Sequence, residues 1–245
     1  MSNQKIIHEL RESKFNQETT RKLLSHPYLV AAQNGTLTLA QRQAFVKQQY
    51  HIQLSDAKSF AVLAGHSGFN PKTLTGTQVP TPTDKMKDND LFQFLLGGEI
   101  YASSLLLNCA KSLGLPDESM LLSSKQAAKA QAYPSYWARI ALSNQRAAGA
   151  AACAINFPAW GEMCRKLNEA LLQHGKTYGY NTSTSEEGLE FIKFFATPID
   201  NLDEMAVTIM DEEQNDITYD ELEEVVRMLQ EYEIMFWDAC YEAKE

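Results

Sequence analysis

The chain has 245 residues, a formal net charge of −9 and an apolar share of 44 %, which is typical of a soluble globular protein. The acidic excess argues against nucleic acid as a partner, because phosphate backbones are bound by a surplus of Lys and Arg. No apolar run reaches the length of a membrane span, and the first residues lack the apolar core of a signal peptide. These features predict one domain over residues 1–245, a cytoplasmic location and no membrane partner.

A long helix is predicted in the first third of the chain. Thr38-x-x-Gln41 forms a capping box, in which the Thr hydroxyl and the Gln amide satisfy free backbone N–H groups. The helix that it opens is expected to run to about His66. The following stretch, to residue 84, contains Pro71, Gly76, Pro80 and Pro82 and is predicted to lack regular structure.

The middle of the chain predicts three more helices, over residues 84–114, 133–144 and 147–173. Pro134 is expected in the first turn of its helix, where a missing N–H costs little, whereas Pro158 lies inside a helix and should kink it. The third helix is unusually rich in Ala. Small residues let neighbouring helices approach closely, so we expect this helix at the packed centre.

Two further capping boxes predict helices near the end of the chain. They are Thr184-x-x-Glu187 and Thr218-x-x-Glu221. No alternating strand of convincing length is present. The sequence therefore predicts an all-α protein of roughly seven to nine helices, given typical helix lengths.

Glu233 is the most informative residue, because it occupies an apolar position of the last predicted helix. The stripe steps by four and three residues along one face and comprises Leu222, Val226, Leu229, Glu233, Phe236 and Cys240. A carboxylate in that seam must be paired, protonated or facing a polar cavity. The alternative is a slightly rotated helix that brings Glu233 to the rim.

The remaining charged and reactive residues have simpler interpretations. No Lys or Arg occurs from Phe194 to Val226 while acidic residues accumulate, and the stretch lacks calcium-loop spacing, so a solvated surface is predicted. The cysteines lack Cys-x-x-Cys spacing and lie in apolar helical segments, which predicts buried reduced thiols: Cys109, Cys153, Cys164 and Cys240. None of the five histidines has a Glu-x-x-His partner, so neither a di-iron site nor any other cofactor is expected.

Three stretches resemble the TenA (thiaminase II) family, in the right order along the chain. They are the opening His26-Pro-Tyr-Leu29 with Asn34-Gly-Thr-Leu37, the central Tyr133-Pro-Ser-Tyr136, and the final Tyr232-Glu-Ile-Met-Phe-Trp-Asp-Ala-Cys-Tyr241. The resemblance implies a haem-oxygenase-like helical bundle with an internal pocket and self-association as a homodimer or homotetramer. It also implies a small-molecule ligand, since the family's active enzymes hydrolyse aminopyrimidines related to thiamine.

Some of the family's pocket residues fall on matching positions here. The resemblance places the final-helix glutamate at Glu233, its aromatic neighbour at Phe236 and the tyrosine of the central motif at Tyr133. It implies that Glu233 is the catalytic acid or base and that the other two bind the substrate.

Other positions depart from the pattern. The pocket aspartate of the family becomes Gln49, and three tyrosines become Ile52, Trp160 and Phe195. The nucleophilic cysteine becomes Asn156. An amide cannot form the covalent intermediate that a thiolate forms, so thiaminase chemistry through a cysteine is not expected. Cys153 lies one turn away, about 5.4 Å for an α-helix.

Three functions remain open at this stage. The first is an enzyme that acts on a small aromatic or heterocyclic metabolite with Glu233 as general acid or base. The second is a non-catalytic metabolite-binding relative. The third is an oxidase, cofactor-free like PqqC or metal-dependent like the CADD-like proteins. The helix around Gln49–Gln53 is loosely similar to PqqC. The metal-binding histidines of the CADD-like proteins have no counterpart in this sequence.

Overall fold

The computed structural model describes residues 2–82, 90–180, 187–212 and 217–244. Within those residues the chain forms helices and no strand, so the all-α prediction is confirmed. The helices are α1 (Asn3–Glu12), α2 (Lys14–Leu24), α3 (Pro27–Gln33), α4 (Leu39–Leu63), α5 (Leu91–Ser112), α6 (Glu118–Leu122), α7 (Ala128–Leu142), α8 (Arg146–Gln173), α9 (Gly175–Tyr178), α10 (Glu190–Ala196), α11 (Leu202–Glu212) and α12 (Tyr219–Tyr241).

The predicted number of seven to nine helices is wrong, because twelve lie within the described residues. Several of the additional segments are short, and α6 and α9 have only five and four residues. Segments of one turn carry too little hydrophobic periodicity to be recognised in a sequence. The boundaries of α5 also differ from prediction, since the helix begins at Leu91 after an Asp90 cap that accepts a hydrogen bond from the Gln93 backbone N–H.

Two of the three predicted capping boxes are confirmed. At the start of α4, the Thr38 hydroxyl accepts from the Gln41 backbone N–H and the Gln41 side chain accepts from the Thr38 N–H. Thr218 and Glu221 make the same reciprocal pair at the start of α12. The third box, at Thr184, lies outside the described residues.

Pro134 was predicted to lie in the first turn of its helix, and this prediction is wrong. Helix α7 begins at Ala128, so Pro134 is in its interior, and the ring is buried. The residues before Pro134 include alanines with high helix propensity, which extend the helix upstream of the proline. A proline inside a helix removes one backbone donor and leaves a carbonyl group without its usual partner.

Pro158 lies inside α8, as predicted, and the structure shows how the lost hydrogen bond is replaced. The carbonyl oxygen of Ala154, four residues earlier, would accept from an N–H at position 158. It accepts instead from Arg11 Nη2 at 2.9 Å. The same guanidinium group donates to both carboxylate oxygens of Asp203, at 2.8 and 2.9 Å, and so joins α1, α8 and α11.

The first half of α8 lies at the packed centre of the molecule. Residues 147–154 are all Ala, Gly or Cys, and all are buried. At Gly149 an added Cβ would lie 3.2 Å from Phe92 and 3.3 Å from Trp137. The small residues therefore permit the close approach of α5 and α7 to α8, as the Ala-rich sequence predicts.

The last helix buries the stripe predicted for it. All six of its positions are buried, from Leu222 to Cys240, and Glu233 is only 6 % exposed. The alternative in which α12 rotates Glu233 to the rim is therefore wrong. All four cysteines are buried and unpaired, as expected. None of the helices in the described residues is both long and apolar enough to cross a membrane.

Candidate functional site

A cavity of about 930 Å³ opens inside the bundle. Helices α4, α5, α7, α8, α10 and α12 all contribute to its wall. The structure brings together on this wall every residue that the sequence singled out for the site: Gln49, Ile52, Tyr133, Asn156, Trp160, Phe195, Glu233 and Phe236. Helical periodicity explains the grouping, because spacings of three, four and seven residues lie on one helix face.

One side of the cavity is aromatic. The Trp160 ring lies 5.9 Å from the Phe195 ring in an edge-on arrangement and 6.2 Å from the Phe236 ring. Gly161 explains how α10 comes so close to α8, because an added Cβ there would lie 3.2 Å from the backbone oxygen of Phe195. Aromatic walls of this kind provide flat faces and edges against which a planar ring can stack.

Glu233 is the buried acid of α12, one turn before Phe236. Its Oε1 atom is buried and has no hydrogen-bond partner. Burial raises the pKa of the carboxyl group to about 8. The group can therefore hold a proton at neutral pH and exchange it with a molecule in the cavity, which is what general acid–base catalysis requires.

Asn156 lies on α8 facing the same cavity and is 1 % exposed. Neither the oxygen nor the nitrogen of its amide has a partner. Cys153, one turn earlier, is fully buried in the core, and burial raises the pKa of its thiol well above the ordinary value. Since nucleophilic cysteines depend on a lowered pKa, Cys153 is a core residue and no substitute for the missing nucleophile.

Tyr133 lies on the cavity wall near acidic groups of two other helices. Burial raises the pKa of its phenol well above the ordinary value, and the charges of Asp56 and Glu233 add to the rise. Tyr133 therefore lies within electrostatic range of acidic groups on two helices, α4 and α12. A phenol held in its protonated form can donate a hydrogen bond to a ligand or to a carboxylate.

Two acidic residues of the wall were missed by the sequence analysis. Asp56 is 4 % exposed and its Oδ1 has no partner, while Glu99 on α5 has a buried Oε2 without a partner. Asp56 follows Gln49 by seven residues, or two turns, so the helical spacing of α4 could have identified it. For Glu99 the sequence carries no comparable signal, because its position depends on how α5 packs against α4.

The mouth of the cavity is charged and exposed. Glu162 and Arg165 pair on α8, with Arg165 Nη2 and Glu162 Oε1 2.6 Å apart. Asp203 and Glu204 contribute acidic groups from the start of α11. The predicted solvated acidic surface thus includes part of the cavity rim, and Asp203 is also tied to Arg11.

In the residues described here, no cluster of three or more His, Cys, Asp or Glu side chains is arranged to hold a metal ion.

Comparisons with known proteins agree with the fold. The structure is similar to a TenA homologue from P. horikoshii OT3 (TM-score 0.66, 16 % identity, 96 % of this chain and 98 % of that chain). A TenA homologue from Pyrococcus furiosus is similar over 96 % of this chain and 100 % of that chain (TM-score 0.63, 18 % identity). A TenA family transcription regulator from Silicibacter sp. TM1040 is also similar, over 96 % of this chain and 99 % of that chain (TM-score 0.59, 13 % identity). At these identities the likeness concerns the fold.

No curated protein matches the chain. The family model described as TENA/THI-4/PQQC matches residues 15–243, which is most of the sequence. The chain therefore belongs to the TENA/THI-4/PQQC family.

Proposed function

We propose that the chain binds a small aromatic nitrogen heterocycle in its cavity and that Glu233 acts on this ligand as a general acid or base. One observation carries the proposal: a carboxyl group with an unpaired, buried oxygen lies on the wall of an aromatic cavity. Burying such a group without a partner costs free energy, which a bound ligand with a matching polar atom offsets. With its pKa near 8, the group is also able to move a proton at neutral pH.

The family supports a ligand class. Its active enzymes hydrolyse aminopyrimidines related to thiamine, and an aminopyrimidine is a planar ring with polar edge atoms. Trp160, Phe195 and Phe236 offer surfaces for the ring, while Glu233, Asn156 and Gln49 offer hydrogen-bonding groups for its edge. The cavity volume of about 930 Å³ lies in the usual range for a small-molecule site.

The reaction, in this proposal, does not pass through a covalent intermediate. The family resemblance assigns the nucleophilic cysteine to the position of Asn156, and an amide is not a nucleophile of that kind. Hydrolysis would instead use water directly. In this step a C–O bond to the water oxygen forms as the C–N bond to the amino group breaks, so that an alcohol and ammonia result. The Glu233 carboxylate takes the proton from the attacking water, or the protonated acid gives one to the departing nitrogen, and the other proton is exchanged with a solvent water molecule.

The test is turnover of 4-amino-5-aminomethyl-2-methylpyrimidine, followed by ammonia release and by the mass of the hydroxymethyl product. We expect turnover by the natural protein and a loss of about 10²- to 10⁴-fold in Glu233→Gln, with ligand binding retained. Glu231→Gln is the matched control, because Glu231 lies two residues away on the exposed face of α12 and pairs with Arg227. Retained turnover in Glu233→Gln would refute the role of Glu233.

A second candidate function is ligand binding without catalysis, and Asn156 is the observation that favours it. A chain that had lost the reaction would keep the pocket and its unpaired polar atoms. Native mass spectrometry of the purified protein would then show a retained small molecule that emerges chemically unchanged. Binding of the aminomethylpyrimidine with no ammonia release in the natural protein would favour this candidate over the first.

A further inference from the structure

We infer that Asp56 and Glu99 form a second polar subsite in the cavity, which receives a cationic nitrogen group of the ligand such as an amidinium or an aminopyridinium. The inference rests on the proposed function and deepens it, because it specifies the charge of the molecule that the same cavity binds. Neither residue occupies a position to which the family resemblance assigns a role.

The geometry places both carboxyl groups on the wall. Asp56 is on α4, two turns beyond Gln49 on the cavity face, and its unpaired Oδ1 is buried. Glu99 is on α5 with an unpaired, buried Oε2. Gln53 joins the two helices, since its Nε2 donates to the backbone oxygen of Glu99 at 3.3 Å, while its own Oε1 is also without a partner.

The described residues of the cavity wall offer the pair little positive charge. Among the described residues that line the cavity, Arg165 is the basic one, and it lies at the mouth in ion pairs with Glu162 and Glu169. Two neighbouring carboxyl groups cannot both ionise at low cost in a buried site without a cation. A cationic ligand would provide the missing charge. Its N–H groups would donate hydrogen bonds to the unpaired oxygens of Asp56 and Glu99.

Space is available beside the pair. Gly98 precedes Glu99 and lines the cavity, and an added Cβ at Gly98 would have no atom within 4 Å. A ligand group can therefore approach Glu99 along α5 without displacing protein atoms.

The protonation of the pair gives the binding reaction a signature. Burial raises the pKa of Asp56 well above its ordinary value, and Glu99 adds to the rise; burial also raises the pKa of Glu99, to about 7. At neutral pH the Glu99 carboxyl of the empty cavity is therefore protonated in a large share of the molecules, and burial favours the protonated form of Asp56 as well. A cation that binds there stabilises the carboxylate forms, so protons are released into the buffer on binding.

The experiment compares benzamidine with benzamide, which have nearly the same shape but differ in charge. Isothermal titration calorimetry is carried out near neutral pH in two buffers of different ionisation enthalpy, so that proton release is measured along with affinity. We expect benzamidine to bind at least about tenfold more tightly than benzamide, because charge-assisted hydrogen bonds are stronger than neutral ones. We also expect proton release with benzamidine alone.

The variants assign the effect to its residues. Asp56→Asn and Glu99→Gln should each remove most of the preference for benzamidine and reduce the proton release. Having two variants on separate helices keeps the test valid if one of them does not fold. Glu204→Gln is the control, since it removes an exposed carboxylate from the rim of the same cavity and should leave the preference intact.

The outcomes separate this inference from the proposed function. Equal affinity for the two ligands would overturn the inference and leave an aromatic-binding cavity standing. A preference that survives Asp56→Asn and Glu99→Gln but disappears in Glu233→Gln would also overturn it, because the charge would then be read by Glu233. No binding of either ligand would overturn the inference, whereas the proposed function is decided by turnover of the aminomethylpyrimidine.

Discussion

The two halves of α8 differ in how completely neighbouring helices fill the space around their side chains. In the solid half, residues 147–154, every side chain is small and buried, and neighbouring helices fill the space. In the cavity half, residues 156–165, Asn156, Trp160 and Glu162 face an open volume. Small apolar residues allow helices to pack closely, whereas large aromatic rings keep them further apart. Polar groups on the cavity wall make it unfavourable to fill the remaining space with apolar side chains. Between these two stretches of α8, the unpaired buried amide of Asn156 is the feature that distinguishes the cavity wall from the small apolar residues of the core.

The largest loss of stability expected from a single substitution is overpacking of the solid half. Gly149→Leu would drive a side chain into Phe92 and Trp137, which already lie 3.2 and 3.3 Å from an added Cβ. We expect the free energy of unfolding to fall by about 3 kcal/mol, measured by denaturant titration. Gly98→Leu is the contrasting variant, since it opens into the cavity, and it should cost much less. Equal losses in the two variants would contradict the distinction between the halves.

The buried acid of the cavity should make stability depend on pH. The folded pKa of Glu233, about 8, exceeds its unfolded value, so the folded state binds more protons in the window between the two values. The free energy of unfolding should therefore fall as pH rises from roughly 5 to about 8, by about 1.4 kcal/mol for each pKa unit of difference. Denaturation curves at several pH values should show this fall.

Glu233→Gln should flatten that dependence in part, while Asp56 and Glu99 retain their own contributions of the same sign. Glu231→Gln should leave the curve unchanged. An identical pH dependence in Glu233→Gln and the natural protein would show that Glu233 is not the buried acid described here.

Where the solid half of α8 meets the cavity half, the helix is held by contacts of Arg11 on α1. Arg11→Met removes the donor to the Ala154 carbonyl, which Pro158 leaves without its helical partner, and breaks the ion pair with Asp203. We expect a loss of about 2 kcal/mol in the free energy of unfolding, because a backbone carbonyl is left unsatisfied. Lys5→Met on the same helix is the control, and its exposed pair with Glu9 should contribute less than about 1 kcal/mol. Similar losses for the two variants would contradict a special role for Arg11.

The smallest expected effect is that of Asn156→Leu, which should raise the free energy of unfolding but lower the affinity for the ligand. Asn156→Leu replaces an amide with two unpaired, buried polar atoms by an apolar group of related shape. We expect the ligand-free protein to gain about 1 kcal/mol, because an unsatisfied amide costs free energy in the empty cavity. Binding of 4-amino-2-methylpyrimidine should weaken. A loss of stability with unchanged binding would mean that the amide serves the fold and not the ligand.

The residues that the sequence singled out all line one cavity, although the sequence missed several of the helices in the fold. Glu233 was identifiable because a carboxylate interrupts an apolar stripe, and the family resemblance supplied its seven companions. The helix count failed at one-turn segments such as α6, where periodicity has too few residues to act as a signal. Asp56 was within reach of helical spacing from Gln49. Glu99 was not, because only the packing of α5 against α4 places it in the cavity.

Other sequence expectations remain predictions. Self-association as a dimer or tetramer follows from the resemblance, and so does the class of ligand.

The most direct measurement is a crystal structure of the protein with saturating 4-amino-2-methylpyrimidine. We predict the ring stacked against the aromatic wall formed by Trp160, Phe195 and Phe236, with a ring or amino nitrogen within hydrogen-bond distance of a Glu233 carboxyl oxygen. A ligand bound elsewhere, or a cavity that holds only water at saturating ligand, would contradict the account of Glu233 and its cavity as the functional site.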